Sequence, residues 1–327
     1  MAHEILVTLT RGNLEESHHY GAYAVYKDGA VVRSRGDIAT PYYMRSAAKP
    51  IQALAVVESG APDRFEFTDK ELALVVGSHN GAPRHARAAK SMLRKIGVGD
   101  ELLRCGGHRP LSPAVYEDYV RRGITYGRLE DNCSGKHAGM IGAAKALDAD
   151  PATYHMPEHP VQQQNRANIA LLAGIDSEDI PIGVDGCGVP AFGVPVAAVA
   201  RAAAVFASPD ELPGGIAMAA RRIADVMCAH PDMVAGEDRF DTRIMRATEG
   251  RLISKEGAEG VQFIGLRGQH TGIAVKIHDG AARAAKAVAA ALLVDLGIVT
   301  LQEISHIYPR EVYSREGAVV GEIKVRL

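Results

Sequence analysis

Ser46 stands three residues before Lys49 in the run Arg45-Ser46-Ala47-Ala48-Lys49-Pro50-Ile51-Gln52. On a helix those two positions share a face, so the hydroxyl and the amine can meet. A serine attacks a carbonyl only when a base takes its proton, and a lysine withdrawn from water can be that base. Ala47 and Ala48 leave room around both groups. Pro50 is tolerated only in a first helical turn, which puts Ser46 near a helix start, where backbone N–H groups favour developing negative charge. The same four residues also suit a helix start with a capping serine and a solvated lysine, so the other motifs must separate the two readings.

Ser78-His79-Asn80 and Lys255-Glu256-Gly257 follow in the chain. Together the three blocks read Ser-x-x-Lys, Ser-x-Asn and Lys-x-Gly, in the order of class A β-lactamases and penicillin-binding proteins. The chemistry is amide or ester acyl transfer: one serine attacks, lysines move protons, and a second Ser/Lys pair relays a proton to the leaving amine. Only 32 residues separate Ser46 from Ser78. In β-lactamases a whole helical subdomain lies between these motifs, so the chain is not a plain β-lactamase.

A second constellation joins Cys133-Ser134-Gly135-Lys136-His137 with Asp185-Gly186-Cys187-Gly188. Two thiolates can hold a soft or borderline ion such as Zn²⁺, with N or O ligands or water completing the shell. No Cys-x-x-Cys pair exists, and two buried core cysteines are the alternative. The glycines around Cys187 and the polar break before Cys133 favour a site.

These residues need elements to carry them. Gly21–Tyr26 and Ala30–Arg35 are β-prone runs joined through Lys27-Asp28-Gly29, a hairpin signal. The Ser46 helix is expected to end near Ser59-Gly60. Thr68-Asp69-Lys70-Glu71 reads as a capping box opening a helix through Val76, and Gly77-Ser78-His79-Asn80-Gly81 breaks it. Helices are expected over Pro83–Ile96, Lys136–Leu147, from His159-Pro160 to Ala173, Pro195–Phe206, Gly215–Cys228 and Ala281–Leu296. Residues 105–113 are too rich in Gly and Pro for regular structure, and 181–190 form a short strand and a Gly-rich turn. Strands return over Arg251–Ser254, Val261–Leu266, Gly272–His278 and Val319–Arg326. The expected fold is α/β of the α+β kind, a single domain over residues 1–327, with one antiparallel sheet made from both termini and helices packed around it. No Gly-x-Gly-x-x-Gly or Gly-x-x-x-x-Gly-Lys-[Ser/Thr] is present to support a nucleotide fold.

Composition bounds the function. Acidic residues number 39 and basic ones 37 in 327 residues, a balance that offers no basic surface for nucleic acid and no polybasic membrane anchor. Met1-Ala2-His3-Glu4-Ile5-Leu6-Val7 lacks the pattern of a signal peptide, and Arg283 and Lys286 interrupt the longest apolar run, so a soluble cytoplasmic protein is expected. With four cysteines in a chain this long, a disulfide scaffold is not expected.

These blocks together resemble the Rhizobium etli-type L-asparaginases, the class 3 or asparaginase II-like family. The resemblance runs through Arg45–Gln52, Ser78–Gly81, Cys105-Gly-Gly-His108-Arg-Pro, Asn132–His137, Asp185–Gly188, Met233-Val-Ala-Gly236 and Lys255–Gly260. It implies hydrolysis of L-asparagine to L-aspartate and ammonia, on a fold similar to serine β-lactamases and glutaminases, by a homodimer with one zinc per subunit. It assigns the zinc to Cys133, Lys136 and Cys187, with Asp185 and water nearby. It assigns catalysis to two pairs, Ser46 with Lys49 and Ser78 with Lys255, Lys276 being the other candidate for the last position. A lysine can ligate a metal only when neutral, so thiolates and metal must displace its proton.

Arg45, His79, Asn80 and Asp185 are the candidates for binding substrate, Arg45 also for tuning the lysines. His79 is as readily a helix-terminal histidine held by backbone, and His137 either supports a ligand or faces solvent. Arg109, Arg166 and Arg239 are possible carboxylate clamps, Glu249 and Glu259 possible partners of lysines, and Asn132 and Gln52 possible pocket walls. Cys105 and Cys228 suit core or surface thiols. Three rivals stay open: a glutaminase or other small-molecule amidohydrolase, a β-lactam or D-amino-peptide hydrolase, and a non-catalytic metal-binding relative.

Overall fold

The computed structural model describes residues 4–308 and 310–327; Met1, Ala2 and His3 of the N-terminal stretch weighed above lie outside them. Eleven strands are present among the described residues: β1 (Ile5–Arg11), β2 (Leu14–Lys27), β3 (Ala30–Arg35), β4 (Pro41–Tyr43), β5 (Ile182–Val184), β6 (Pro190–Pro195), β7 (Leu252–Gly257), β8 (Val261–Leu266), β9 (Thr271–Ile277), β10 (Glu311–Tyr313) and β11 (Val319–Val325). The fold is mixed α/β, an antiparallel sheet drawn from both ends of the chain with helices packed on it. The chain forms two units, each assembled from separate stretches.

One unit takes the chain through Ala47, then Val194–Ser208, then Arg243 onward, and holds the large sheet. Its order is β10-β11-β1-β2-β9-β8-β7, with β3 also paired to β2. Two long-range pairings make it: β1 on β11, with Val7 opposite Val325, and β2 on β9, with Ala24 opposite Ala274. The β2–β3 hairpin forms as the Asp-Gly signal demands, with Asp28 and Gly29 both at positive φ, as a two-residue hairpin turn requires. Every residue of β8 and β9 is buried, so their apolar runs do not alternate. The Val196–Ala207 and Ala282–Asp295 helices pack on these strands, and their alanines allow close approach.

The other unit, Ala48–Gly193 with Pro209–Thr242, is mainly helical. Its centre is the Ser134–Ala146 helix, buried at each residue from Ser134 to Ala144. Small Ala and Gly residues let neighbours approach this helix on every side, and the Lys49–Glu58, Asp69–Val75, Pro83–Ile96 and Pro160–Ala173 helices surround it, with Ser134, Lys136 and His137 buried at its start. β5 and β6 form a short hairpin with Ile182 opposite Phe192. Among the described residues no helix is long and apolar enough to cross a membrane.

Three local differences from expectation bear on chemistry. Ser46 lies in a 3₁₀ turn, Arg45–Ala48, and the α-helix begins only at Lys49. Arg45 at φ 52° cannot continue a right-handed helix, and Pro50 fits the first turn that follows. The Lys136 helix starts two residues early, at Ser134, so Cys133 becomes its N-cap. β7 runs on to Gly257, which places Lys255 inside a strand.

The Thr68 capping box forms with both reciprocal bonds, and Lys95 Nζ sits 2.6 Å from Glu71 Oε2. Burial alone would raise the Glu71 carboxyl, but hydrogen bonds from Lys95, the Thr68 amide and Ser91 hold it below its ordinary range. Glu71→Ala is expected to cost about 1–3 kcal/mol, since it frees a helix N–H and leaves the Lys95 amine without its carboxylate. A depressed folded-state pKa stabilises above the unfolded carboxylate range, and that stabilisation is lost as pH falls through the folded value. Chemical denaturation should therefore show variant and parent differing at neutral pH and converging in acid.

Candidate active site

Lys49 opens its helix with its side chain only 1% exposed. Three acceptors surround the amine: the Gly77 carbonyl, Ser78 Oγ at 3.0 Å and Cys133 Sγ at 3.2 Å. The loop after the Asp69–Val75 helix delivers Ser78 to this point, because Ser78 N–H donates to Val234 O (2.8 Å) and His79 N–H to Asn132 O (3.3 Å). The amine expected to pair with Ser46 is thus hydrogen-bonded to the other serine. His79 is fully buried; its Nδ1 accepts from Gly81 N–H (3.2 Å), so Nε2 donates to Ser134 Oγ (3.0 Å), which passes its own proton to Leu129 O (3.0 Å). Burial, with His85 and Lys49 nearby, pushes His79 well below its ordinary pKa and keeps it neutral. Both of its nitrogens are engaged in shaping the loop. Asn80 turns its side-chain oxygen to Ala82 N–H (3.4 Å), and the Gly236 backbone lies so close that a Cβ there would come within 2.5 Å of the carboxamide.

Cys133 and Cys187 meet in the same unit. A hydrogen bond from the Cys133 thiol and the nearby Lys136 amine, 3.1 Å away, draw Cys187 down to about 5, a thiolate. The same bond, with burial, pushes Cys133 up to about 12, so the pair shares one proton. Burial opposes charge on Lys136, but Cys187, Cys133 and Asp185 outweigh it and raise its pKa. The two sulfurs suit a borderline ion, and Lys136, held here as an ammonium, would join them as a donor only once an ion displaces its proton. Among the described residues no group of three or more His, Cys, Asp or Glu is placed to hold a metal, so such an ion would rely on the lysine. Asp185 and Gly188 close the turn presenting Cys187: Gly188 N–H donates to Asp185 O (2.8 Å), and Asp185 N–H to Val189 O (2.9 Å).

The sheet unit carries Ser46, Arg45 and Lys255. Gly257, two residues past Lys255, presses against the turn that bears Ser46: a Cβ there would lie 2.5 Å from Met44 O and 3.1 Å from Ala47 N. Arg45 approaches Glu259 at 3.9 Å, and both have positive φ. Lys255 is fully buried, its Nζ 2.7 Å from Glu256 O. Lys276, the other candidate, bonds Glu259 O and Ile277 O (2.8 Å) and lies over the Tyr42 ring.

The sequence matches a profile of L-asparaginase II over residues 7–325. The chain belongs to the L-asparaginase II family. No curated protein matches it. Among solved structures it is similar to Mglu in its native form, with 16% identity, a TM-score of 0.47, and coverage of 86% of this chain and 65% of that one. Mglu in its L-glutamate binding form in 4.3 M NaCl gives 15%, 0.48, 86% and 60%, and a β-lactamase-like protein of Bacteroides dorei DSM 17855 gives 14%, 0.42, 79% and 85%. The chain thus spans less than two thirds of the Mglu chain.

Other residues of this family member take supporting places. Arg109 lies over Tyr116, and Arg166 reaches Glu178 (3.3 Å), while Arg239 is mostly buried near Asp241. Gln52 is buried on the Lys49 helix, Glu249 turns the chain at positive φ, and Cys105 is a buried thiol that burial pushes up. Cys228 is half-buried. Three residues escaped sequence reasoning. Asp131 Oδ1 accepts from Cys133 N–H (2.8 Å), His108 Nε2 accepts from Asn132 N–H (3.1 Å), and the Tyr154 hydroxyl, bonded by Arg104 N–H (3.0 Å), meets His137 Nδ1. Burial pushes His137 down to about 3, so it is a neutral support beside Lys136. Only Asp131-x-Cys133, a side chain reaching the amide two residues on, carried a readable signal.

Proposed function

We propose that this chain hydrolyses the side-chain amide of L-asparagine to L-aspartate and ammonia, as a Rhizobium etli-type enzyme acting in the cytoplasm as a homodimer. One observation carries the reading: a buried Lys49 amine 3.0 Å from Ser78 Oγ and 3.2 Å from a thiol that is paired with a second thiol and a lysine. A serine–lysine couple sealed from water is what acyl transfer needs, and a solvated surface lysine does not provide it.

In this reading Ser46 forms the bond to the amide carbon and gives up its proton to Lys49 in its neutral form, while the carbonyl electron pair moves onto oxygen. Lys49 and Ser78, already in hydrogen-bond contact, pass a proton to the departing nitrogen as the C–N bond breaks, so that ammonia leaves. Lys255 supports that relay by its charge. Water then adds to the β-aspartyl ester, the ester C–O bond breaks, and the proton returns to Ser46. Backbone N–H groups of the Arg45–Ala48 turn are assigned the oxyanion, and Arg45, Asn80 and Asp185 the substrate's charged ends. Cys133, Cys187 and Lys136 would hold zinc, which when bound supplies a positive charge to orient the amino acid's amino and carboxylate groups.

Ammonia release from L-asparagine, L-glutamine and D-asparagine at equal concentration tests the reading. L-asparagine should be turned over fastest, with L-aspartate as product; faster release from glutamine, or none from any, overturns it. Metal analysis of the purified protein should find one zinc per chain, lost in Cys187→Ser, and undiminished zinc in that variant would remove the ligand assignment.

A further inference from the structure

The Pro83–Ile96 helix carries five cations and no carboxylate. Its two ends are neutralised: Arg84 meets Asp232 (3.4 Å) and Glu237 (3.1 Å), and Lys95 meets Glu71 (2.6 Å). Its middle is not. Arg87, Lys90 and Arg94 are exposed and have no ionic partner among the described residues. Three and four residues apart, they lie along one stripe, where like charges repel and weaken a helix.

That stripe borders a cavity of about 570 Å³ that lies wholly within the helical unit. Leu93, Val98 and Leu129 supply an apolar floor, and Asp100 is the one carboxylate in the lining against three cations. Glu101 folds its carboxylate onto Gly99 at the rim. Seven residues of helix separate Arg87 from Arg94, about 10 Å along the axis. A single carboxylate cannot bridge that span, whereas a chain of two or three phosphates can engage neighbouring cations in succession. The volume falls within the roughly 300–1,000 Å³ of small-molecule sites, and the apolar floor has room for a flat, weakly polar group beside the charged one.

We propose that this groove binds a nucleoside di- or triphosphate, its phosphates on Arg87, Lys90 and Arg94 and its base on the floor of Leu93, Val98 and Leu129. The site is separate from the thiol and serine residues and does not depend on the hydrolase reading. Titration calorimetry of the whole protein with ATP, tripolyphosphate and adenosine, at low and at raised salt, tests it. ATP should bind one per chain, about tenfold more weakly at the higher salt because the contacts are exposed. The double variant Arg87→Gln with Arg94→Gln should lose at least about tenfold in affinity, through two lost charge-assisted contacts. Arg121→Gln with Arg122→Gln, which removes equal charge from the exposed Pro113–Arg121 helix and its end, should bind as the parent does. Absence of saturable ATP binding, or unchanged affinity in the groove variant, overturns the site. Tripolyphosphate binding as tightly as ATP overturns the nucleoside assignment.

Discussion

Lys49→Met should lower kcat for asparagine hydrolysis about a thousandfold or more while changing KM little. Methionine fills nearly the same buried volume, so what is removed is the amine and its three hydrogen bonds, to Gly77, Ser78 and Cys133. The carbonyl and hydroxyl left behind cost about 1–3 kcal/mol each if nothing replaces the donor, so thermal unfolding must be measured beside activity. A folded variant with parent-like kcat would show that this amine moves no proton in the reaction. The serines separate the roles further. Ser46→Ala should abolish turnover, because no other group is assigned the covalent bond, whereas Ser78→Ala should retain a residue of activity, about a hundredfold down, because water can stand in for a relay hydroxyl. Appreciable hydrolysis by Ser46→Ala together with a dead Ser78→Ala would transfer the nucleophile to the serine that Lys49 touches.

Gly257→Ala is expected to cut kcat by about a hundredfold with the fold retained. The added Cβ would stand 2.5 Å from Met44 O and 3.1 Å from Ala47 N, and both are backbone atoms that cannot rotate away. Overpacking of this kind costs about 1–3 kcal/mol, which the large sheet can absorb. The turn bearing Ser46 must shift to make room, and a displacement near 1 Å of a reacting group is worth about two orders of magnitude in rate. Gly215→Ala is the matched control, since a Cβ there meets nothing within 4 Å and the residue lies in a helix. Gly257→Ala with unchanged kcat would mean that the strand end does not position the Ser46 turn.

Elements written in short-range chemistry could be read from the residues alone. The Asp28-Gly29 hairpin, the Thr68–Glu71 capping box and the Pro83–Ile96 and Pro160–Ala173 helices form as expected, because turn preference, caps and proline at a helix start act over a few residues. The family, too, was legible, since seven blocks in order name it without coordinates. Which strands would neighbour one another was only partly so. A sheet from both termini was expected, yet the registers that set Val7 against Val325 and Ala24 against Ala274 join residues hundreds of positions apart. Those registers follow from how buried faces pack, not from local pattern.

The choice of partners within the site belongs to the same long-range class. Spacing suggested Lys49 for Ser46, because three residues on a helix share a face. The backbone turns in a 3₁₀ bend there, and the amine is met by Ser78 on a loop held by Val234 and Asn132. Asp131, His108 and Tyr154 stayed hidden for the same reason: each acts on a group brought to it by folding. Side-chain types and their order therefore tell what chemistry is available. Hydrogen-bond partners depend on positions to within a few tenths of an ångström, and those positions come from packing spread over the whole chain.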